Sequence, residues 1–164
     1  MREQAKLYFM CGKMAAGKST HAKALASATD SILIVQDELL EALYPGQIRT
    51  IDEFAGCSAR LRDALSPHIV DLLTRGVSVV LDFPGNTRAQ RAWFRGLIER
   101  AGVDHELHYI DAPNDVCKRQ LKQRSDALPA GHPWTSDAEF DAITKYFQAP
   151  LEEEGFNVVR HVRS

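Results

Sequence analysis

One stretch near the start of the sequence, residues 12–20, constrains the fold more than any other. It matches the pattern G-x-x-x-x-G-K-[ST] without a gap. Its glycines let the backbone curl so that successive N–H groups point inward toward phosphate oxygens. A following helix adds its unpaired N–H groups and its positive dipole end. The predicted nucleotide-binding residues are Gly12, Lys13, Met14, Ala15, Ala16, Gly17, Lys18, Ser19 and Thr20.

Two residues of this stretch have chemical roles that the pattern itself predicts. The Lys18 ammonium would reach the β- and γ-phosphates as a point charge, and the Ser19 hydroxyl would bind Mg²⁺. The pattern needs a strand before it and a helix after it. Residues 7–11 are a short apolar run of strand length, and Ala22, Leu25 and Ala26 follow at helical spacing. The context therefore favours a phosphate-binding loop over a glycine-rich turn.

The rest of the chain alternates between strand and helix patterns. We predict strands at residues 6–11, 32–35, 77–81, 106–110 and 156–162, with residues 32–35 as a buried strand. We predict helices at residues 18–28, 38–43, 61–73, 87–101, 114–124 and 136–147. Capping boxes at Thr87 and at Ser136 open the fourth and the sixth of these helices. Such alternation predicts a single α/β domain over residues 1–164, with a parallel sheet covered on both faces and ligands at the strand carboxyl ends.

Two aspartates follow predicted strands and would lie near the phosphate site. Asp37 comes after the second strand and Asp82 after the third. Phosphoryl transfer needs a metal that neutralises the phosphates and a carboxylate that orients or deprotonates the acceptor hydroxyl. We predict Asp37 as the acceptor-side base and Asp82 as a magnesium-supporting residue that acts through water. The structural alternatives are a helix cap at Asp37 and a turn residue at Asp82.

A basic helix precedes a turn-rich stretch at residues 125–135, which we predict to be a lid that excludes water during transfer. Arg119 and Arg124 could fold over the nucleotide and neutralise charge that develops in the transition state. Five residues apart, they diverge by about 140° on a straight helix. Both would reach the site only if the helix ended or bent before Arg124. The alternative is a solvated basic face.

Composition narrows the classes of function. The 164 residues are 45% hydrophobic and 26% charged, with a net charge of -2, so a large duplex-binding surface is disfavoured. The sequence has no apolar run long enough to span a membrane, and we expect no secretory signal before the first strand. Three cysteines lack metal-type spacing, and His105 and His108 would face opposite sides of a strand. We expect reduced thiols and a cytoplasmic location.

With these residues placed, the chain resembles the small P-loop kinases grouped with polynucleotide 5′-kinase, chloramphenicol phosphotransferase and zeta toxins, which include AAA-type ATP-binding proteins. The resemblance runs from the first strand to the last. Besides the phosphate loop it rests on residues 35–37, on residues 79–82 with Asn86 and Arg88, on residues 119–124, and on residues 147–150 leading to residues 153–155.

The resemblance implies ATP as phosphate donor, Asp37 as general base, Asp82 as a second active-site carboxylate, Arg124 as a lid arginine and a strand order of 2-3-1-4-5. Polynucleotide kinase-like members carry an arginine three residues after the base, where this chain has Leu40. That departure disfavours a nucleic-acid acceptor. We therefore expect a Mg²⁺- and ATP-dependent kinase of a small-molecule hydroxyl. The alternatives are a nucleic-acid 5′-hydroxyl kinase and a nucleotide-dependent switch or ATPase without phosphoryl transfer.

Overall fold

The computed structural model describes residues 4–126 and 136–164, with helices α1 to α6 and strands β1 to β5. Part of the predicted lid, residues 127–135, lies outside the described residues. The strands are β1 (Lys6–Cys11), β2 (Ile32–Val35), β3 (Val79–Asp82), β4 (Asp104–Asp111) and β5 (Val158–Val162). The helices are α1 (Lys18–Thr29), α2 (Gln36–Leu43), α3 (Ile51–Thr74), α4 (Arg88–Ala101), α5 (Asn114–Asp126) and α6 (Asp137–Thr144), with a short 3-10 helix at Glu152–Glu154.

All five strands pair in parallel in the order β2-β3-β1-β4-β5, which confirms the predicted sheet. Strand β1 lies at the centre, where Phe9 pairs with Leu81 of β3 on one side and with Leu107 of β4 on the other. Parallel neighbours point their carboxyl ends to the same edge. The loops after β1, β2 and β3 therefore meet at one edge of the sheet.

The alternating side chains of β1 divide the core into two layers. Phe9 and its neighbours on that face pack with α3 and α4, and the Phe9 and Phe94 rings stack with centroids 4.4 Å apart. Met10 lies on the opposite face, in a cluster with Ala22 and Ala26 of α1. Successive side chains of a strand point to opposite faces of the sheet, so both faces of β1 need a covering layer. The alanines of α1 cover one face, and α3 and α4 cover the other, which produces three layers. Among the described residues, no helix has both the length and the apolar character needed to cross a bilayer.

Both predicted capping boxes place helix starts correctly. The Thr87 side chain accepts a hydrogen bond from the Gln90 N–H at 3.1 Å, and Ser136 does the same for the Glu139 N–H at 3.1 Å. A short side-chain oxygen satisfies an N–H group that the first helical turn leaves unpaired. Helix α4 ends at Gly102, whose φ of 66° is left-handed.

One helix boundary and the burial of one strand differ from the prediction for identifiable reasons. Helix α3 begins at Ile51, ten residues before the predicted start, because Thr50 caps it by accepting the Glu53 N–H. Ile51 is 82% exposed, so the first turns carry no inward apolar stripe that a periodicity could reveal. Strand β2, predicted to be buried, is half-exposed, with Ile32 at 48%, because it lies at the sheet edge.

Three consecutive glutamates at residues 152–154 favour a solvated acidic turn by composition, but Glu154 forms a buried ion pair. The Arg91 side chain is fully buried on α4 and donates to both carboxylate oxygens of Glu154, at 2.7 and 3.1 Å. It also donates to the backbone carbonyls of Gly85 at 2.9 Å and Gln148 at 2.8 Å. One guanidinium therefore joins the loop after β3 to the segment that leads into β5.

The charge state of Glu154 follows from the same contacts. Burial by itself would raise the pKa of this carboxyl, but the hydrogen bonds from Arg91 and from the Leu151 N–H outweigh burial and lower the pKa below its usual 4.5. Because the pKa is lowered in the folded state, the pair contributes its full stability at pH values above the pKa of Glu154 in the unfolded state. That contribution is lost only as the pH falls through the lowered value.

We expect Arg91→Met to lower the free energy of unfolding by about 3–5 kcal/mol, because it leaves the Glu154 carboxylate buried and unpaired. Chemical denaturation checks this value. The matched control is Arg88→Met, which removes an exposed pair with Glu153 at 3.1 Å and should cost less than about 1 kcal/mol. Equal losses in the two variants would contradict the structural role assigned to Arg91.

Candidate active site

The phosphate loop connects the end of β1 to the start of α1, as its sequence pattern requires. Gly17 adopts φ 106° and ends the loop directly before Lys18, the first residue of α1. This left-handed conformation is accessible to glycine and strained for residues with a Cβ atom. Ala15 and Ala16 are buried against a small cluster that includes Ile110 and Val116. Their small side chains let the loop backbone lie close to β4 and α5.

The segment after β3 holds the loop from the other side. Asn86 accepts a hydrogen bond from the Gly12 N–H through Oδ1, at 2.9 Å. Gly85 makes this approach possible, because a Cβ atom there would lie 2.4 Å from the Met10 carbonyl oxygen. Asn86 is among the residues that carry the family resemblance, but no role was predicted for it. The structure shows that it fixes the first residue of the phosphate loop.

Lys18 lies near two carboxylates, Asp82 and Asp37, at the strand ends. Its Nζ donates to the Gly12 carbonyl, and its side chain is half-buried. Burial lowers the pKa of the Lys18 ammonium, while the nearby Asp82 and Asp37 carboxylates act in the opposite direction. The ammonium thus sits in a partly desolvated position in which an anion would interact with it strongly.

The two predicted magnesium-binding residues are in direct contact. The Ser19 hydroxyl donates to Asp82 Oδ2 at 2.7 Å, and Asp82 occupies the last position of β3. Hydroxyl and carboxylate oxygens are hard ligands of the kind that Mg²⁺ binds. This donor set fits magnesium, and the pairing argues against the reading of Asp82 as a residue that only forms a turn.

Asp37 lies in the first turn of α2 at the same edge. Val35 occupies the N-cap position of this helix, so Asp37 is not its cap and that alternative is wrong. The residue is exposed, yet nearby protein atoms displace part of its water shell. This desolvation raises the Asp37 pKa, Asp82 raises it further, and Lys18 opposes both. The three ionisable groups are therefore close enough to interact electrostatically.

The structure does not bring the two predicted arginines together. Helix α5 continues to Asp126, so the break before Arg124 that would align Arg119 with Arg124 is absent. Both side chains are exposed. The neighbouring Lys118 pairs with Asp141 of α6 at 2.9 Å instead of facing the loop. A role for either arginine at the site remains a prediction.

A different arginine, which the sequence analysis missed, lies beside the loop. A Cβ atom at Gly17 would be 2.5 Å from Nη1 of Arg163, so this guanidinium packs against the loop backbone. Arg163 follows β5, and its N–H donates to the Asp111 carbonyl at 2.9 Å. The available signal was topological: the end of β5 reaches the same edge as the end of β1.

We expect the Asp37 pKa to fall in Asp82→Asn, which removes a repelling charge, and to rise in Lys18→Met, which removes an attracting one. Carboxyl-carbon NMR titration of the nucleotide-free protein measures both directions. Glu38→Gln, on the same helix, is the control that should leave the Asp37 titration in place. An Asp37 pKa that responds to neither substitution would show that these groups do not form one site.

Comparison with known proteins identifies the architecture. The family model described as an AAA domain, AAA_33, matches residues 7–150. No curated protein matches the chain. Among solved structures, a protein from Chloroflexus aurantiacus J-10-fl named as a "putative kinase" is 18% identical with a TM-score of 0.75, and the match covers 98% of this chain and 89% of that one.

Two further similar structures are complexes with nucleotides or nucleotide analogues. The Mycobacterium tuberculosis APS kinase CysC, in complex with AMPPNP and APS, is 20% identical with a TM-score of 0.64, covering 98% of this chain and 91% of that one. Chaetomium thermophilum Kti12, in complex with ADP-AlF3, is 15% identical with a TM-score of 0.67, covering 96% and 88%. At these identities the likeness establishes the fold, which is that of P-loop kinases.

Proposed function

We propose that this chain, which belongs to the AAA domain family AAA_33, is a kinase that transfers the γ-phosphate of ATP to a hydroxyl of a small molecule. The observation that carries the proposal is the meeting of Lys18, the Ser19–Asp82 pair and Asp37 at one sheet edge. Phosphoryl transfer requires a cation that binds the phosphates, oxygen ligands that hold a metal ion, and a separate carboxylate that acts on the acceptor hydroxyl.

The donor side follows from the phosphate loop. Backbone N–H groups of residues 12–20 would surround the phosphates, and Lys18 would contact the β- and γ-phosphate oxygens. Ser19 directly and Asp82 through water would hold Mg²⁺, which neutralises developing charge on the phosphates when bound. Arg163, beside Gly17, adds a second cation at the loop.

On the acceptor side, Asp37 is the proposed general base. Its carboxylate accepts the proton of the acceptor hydroxyl as that oxygen bonds to the γ-phosphorus. The bond from the γ-phosphorus to the bridging oxygen breaks, and ADP leaves. A raised pKa makes the ionised carboxylate a stronger base than an ordinary aspartate. Arg124 and Arg119 are retained as proposed phosphate contacts, although α5 separates their directions.

A small-molecule acceptor agrees best with the charge distribution. The chain has a net charge of -2, and Leu40 is only 3% exposed within the main core cluster, so no cation stands at that position to grip a nucleic-acid phosphate. The similar APS kinase structure is named for a small acceptor. Nucleic acid therefore ranks second as an acceptor.

Gln36, the residue before Asp37, is a buried polar side chain that lacks hydrogen-bond partners among the described residues. The Gln36 side chain is 1% exposed, and neither its amide nitrogen nor its amide oxygen has a hydrogen-bond partner among the described residues. Leaving such groups unsatisfied costs about 1–3 kcal/mol. Because both amide atoms are closed to solvent, an acceptor hydroxyl would satisfy this amide only if its binding moved the Gln36 side chain or α2.

Asp37→Asn should reduce phosphoryl transfer by about 10²–10⁴-fold, since general-base catalysis contributes about that much, while ATP affinity stays nearly unchanged. Coupled detection of ADP together with calorimetric ATP titration separates the two effects. Glu38→Gln is the neighbouring control and should retain activity. Undiminished transfer by Asp37→Asn would remove Asp37 from the mechanism.

A thermal-shift screen with Mg²⁺ and ATP across nucleosides, sugars, aminoglycosides, chloramphenicol-like alcohols and short oligonucleotides would identify the acceptor. A bound acceptor stabilises the fold by about 2.7 kcal/mol at a hundredfold excess over Kd. A small-molecule hit that also accelerates ADP formation supports the proposal. Salt-sensitive oligonucleotide binding would favour the nucleic-acid alternative, and slow ATP hydrolysis that no acceptor alters would favour a nucleotide switch.

Gln36→Leu should keep or increase the free energy of unfolding, because it removes two unsatisfied polar atoms from a buried position. The KM for the identified acceptor should rise by about tenfold or more through loss of one hydrogen bond, worth about 1.4 kcal/mol per tenfold, while ATP affinity is unchanged. Denaturation and steady-state kinetics measure these quantities. Loss of stability with an unchanged KM would assign Gln36 to the core rather than to the acceptor site.

A further inference from the structure

Three histidines from distant parts of the sequence meet on the sheet face that α1 covers. His21 lies in the first turns of α1, His108 in β4 and His161 in β5. His108 Nδ1 is 2.9 Å from His21 Nε2 and 2.9 Å from His161 Nε2. The three nitrogens all lie within 4.8 Å of one another. His108 is buried, and the other two are half-buried.

A carboxylate orients the central histidine. His108 Nε2 lies 3.0 Å from Glu106 Oε1, and the other oxygen of Glu106 accepts from Lys6 Nζ at 3.0 Å. An ionised carboxylate only accepts, so His108 carries its proton on Nε2 and presents the Nδ1 lone pair to the cluster. A carboxylate behind a histidine in this way is the arrangement that fixes the tautomer of metal-binding histidines.

Hydrogen bonds among the three rings alone cannot satisfy all three facing nitrogens. The Nδ1 atom of His108 has one lone pair in the ring plane, yet two imidazole nitrogens approach it at the same 2.9 Å. One lone pair makes one well-directed hydrogen bond. A metal dication between the rings would instead accept a lone pair from each of the three nitrogens.

A small tetrahedral ion would need a modest rearrangement of the three nitrogens. Zinc–nitrogen bonds of about 2.0–2.1 Å at tetrahedral angles place ligand nitrogens about 3.3 Å apart. Each 2.9 Å separation would open by a few tenths of an ångström, and the His21 and His161 nitrogens, within 4.8 Å of each other, would settle at the same spacing. Imidazole ligands suit zinc and the neighbouring transition metals, while magnesium prefers oxygen. This cluster is therefore distinct from the Ser19–Asp82 pair.

We propose that His21, His108 and His161 form a binding site for a divalent transition metal, with Zn²⁺ as the expected ion. Helix α1 packs mainly on β1, β2 and β3, so the bound metal joins it to β4 and to the edge strand β5. His21 follows the phosphate loop by one helical turn, and His161 precedes Arg163 by two residues. The metal would thus stabilise the side of the domain on which the loop rests.

The test uses the full chain, stripped with a chelator and titrated with Zn²⁺ against a chromophoric competitor, and separately with Co²⁺. We expect one equivalent of Zn²⁺ to bind and to raise Tm, and Co²⁺ to give the intense visible absorption of a four-coordinate nitrogen-rich site. Zinc that binds without saturating at one equivalent, or that leaves Tm unchanged, would overturn the proposal and leave a hydrogen-bonded trio.

Matched variants locate the metal. His21→Ala and His161→Gln should each weaken Zn²⁺ binding by at least about a hundredfold, and Glu106→Gln, a positioning change, by about 10–100-fold. His68→Ala, at an exposed site on α3, is the control that retains full affinity. Circular dichroism of the metal-free variants checks folding. Equal affinities in His21→Ala and His68→Ala, with both folded, would exclude this cluster as the zinc site.

Discussion

The parallel pairing of β1 with β3 and β4 is the constraint on which the rest of the structure depends. Phe9 and Met10 are fully buried on opposite faces of this strand, so its register cannot slip by one residue without exchanging the two core layers. The same register brings the end of β1 level with Asp82 of β3. A packing requirement in the core therefore sets the position of the phosphate loop relative to its carboxylate.

Short polar contacts extend this order from the core to the loop. Asn86 binds the Gly12 N–H, Ser19 binds Asp82, and Arg91 ties the loop after β3 to the segment before β5. The contacts of Asn86 with Gly12, of Ser19 with Asp82 and of Arg91 with Gln148 each join residues that are more than fifty positions apart in sequence. Catalytic side chains must be positioned to within a fraction of an ångström, and this requires that the residues that contact them are themselves held in place.

Local patterns predicted the elements well where side-chain chemistry acts within one turn or one strand. The caps at Thr87 and Ser136 and the central strand followed from neighbouring residues alone. Prediction failed where exposure depends on the rest of the fold: the start of α3 has no buried stripe, β2 lies at an edge, and Glu154 is buried because Arg91 reaches it. The cluster of His21, His108 and His161 gave no local signal, since its members are separated by up to 140 positions, and Arg163 could be found only from the strand order.

The sequence by itself determined the phosphate loop, the alternation of strands and helices, and the identity of the residues at the strand ends. These features are encoded by residues close together in the chain, where backbone conformation and side-chain periodicity act. The tertiary structure decided which of those residues meet. It joined Ser19 to Asp82 and placed Asp37 within electrostatic reach of both Lys18 and Asp82, but left Arg119 and Arg124 on different sides of a continuous helix. Strand order and helix length fix such distances, because ionic and hydrogen-bonding contacts act only over a few ångströms in space.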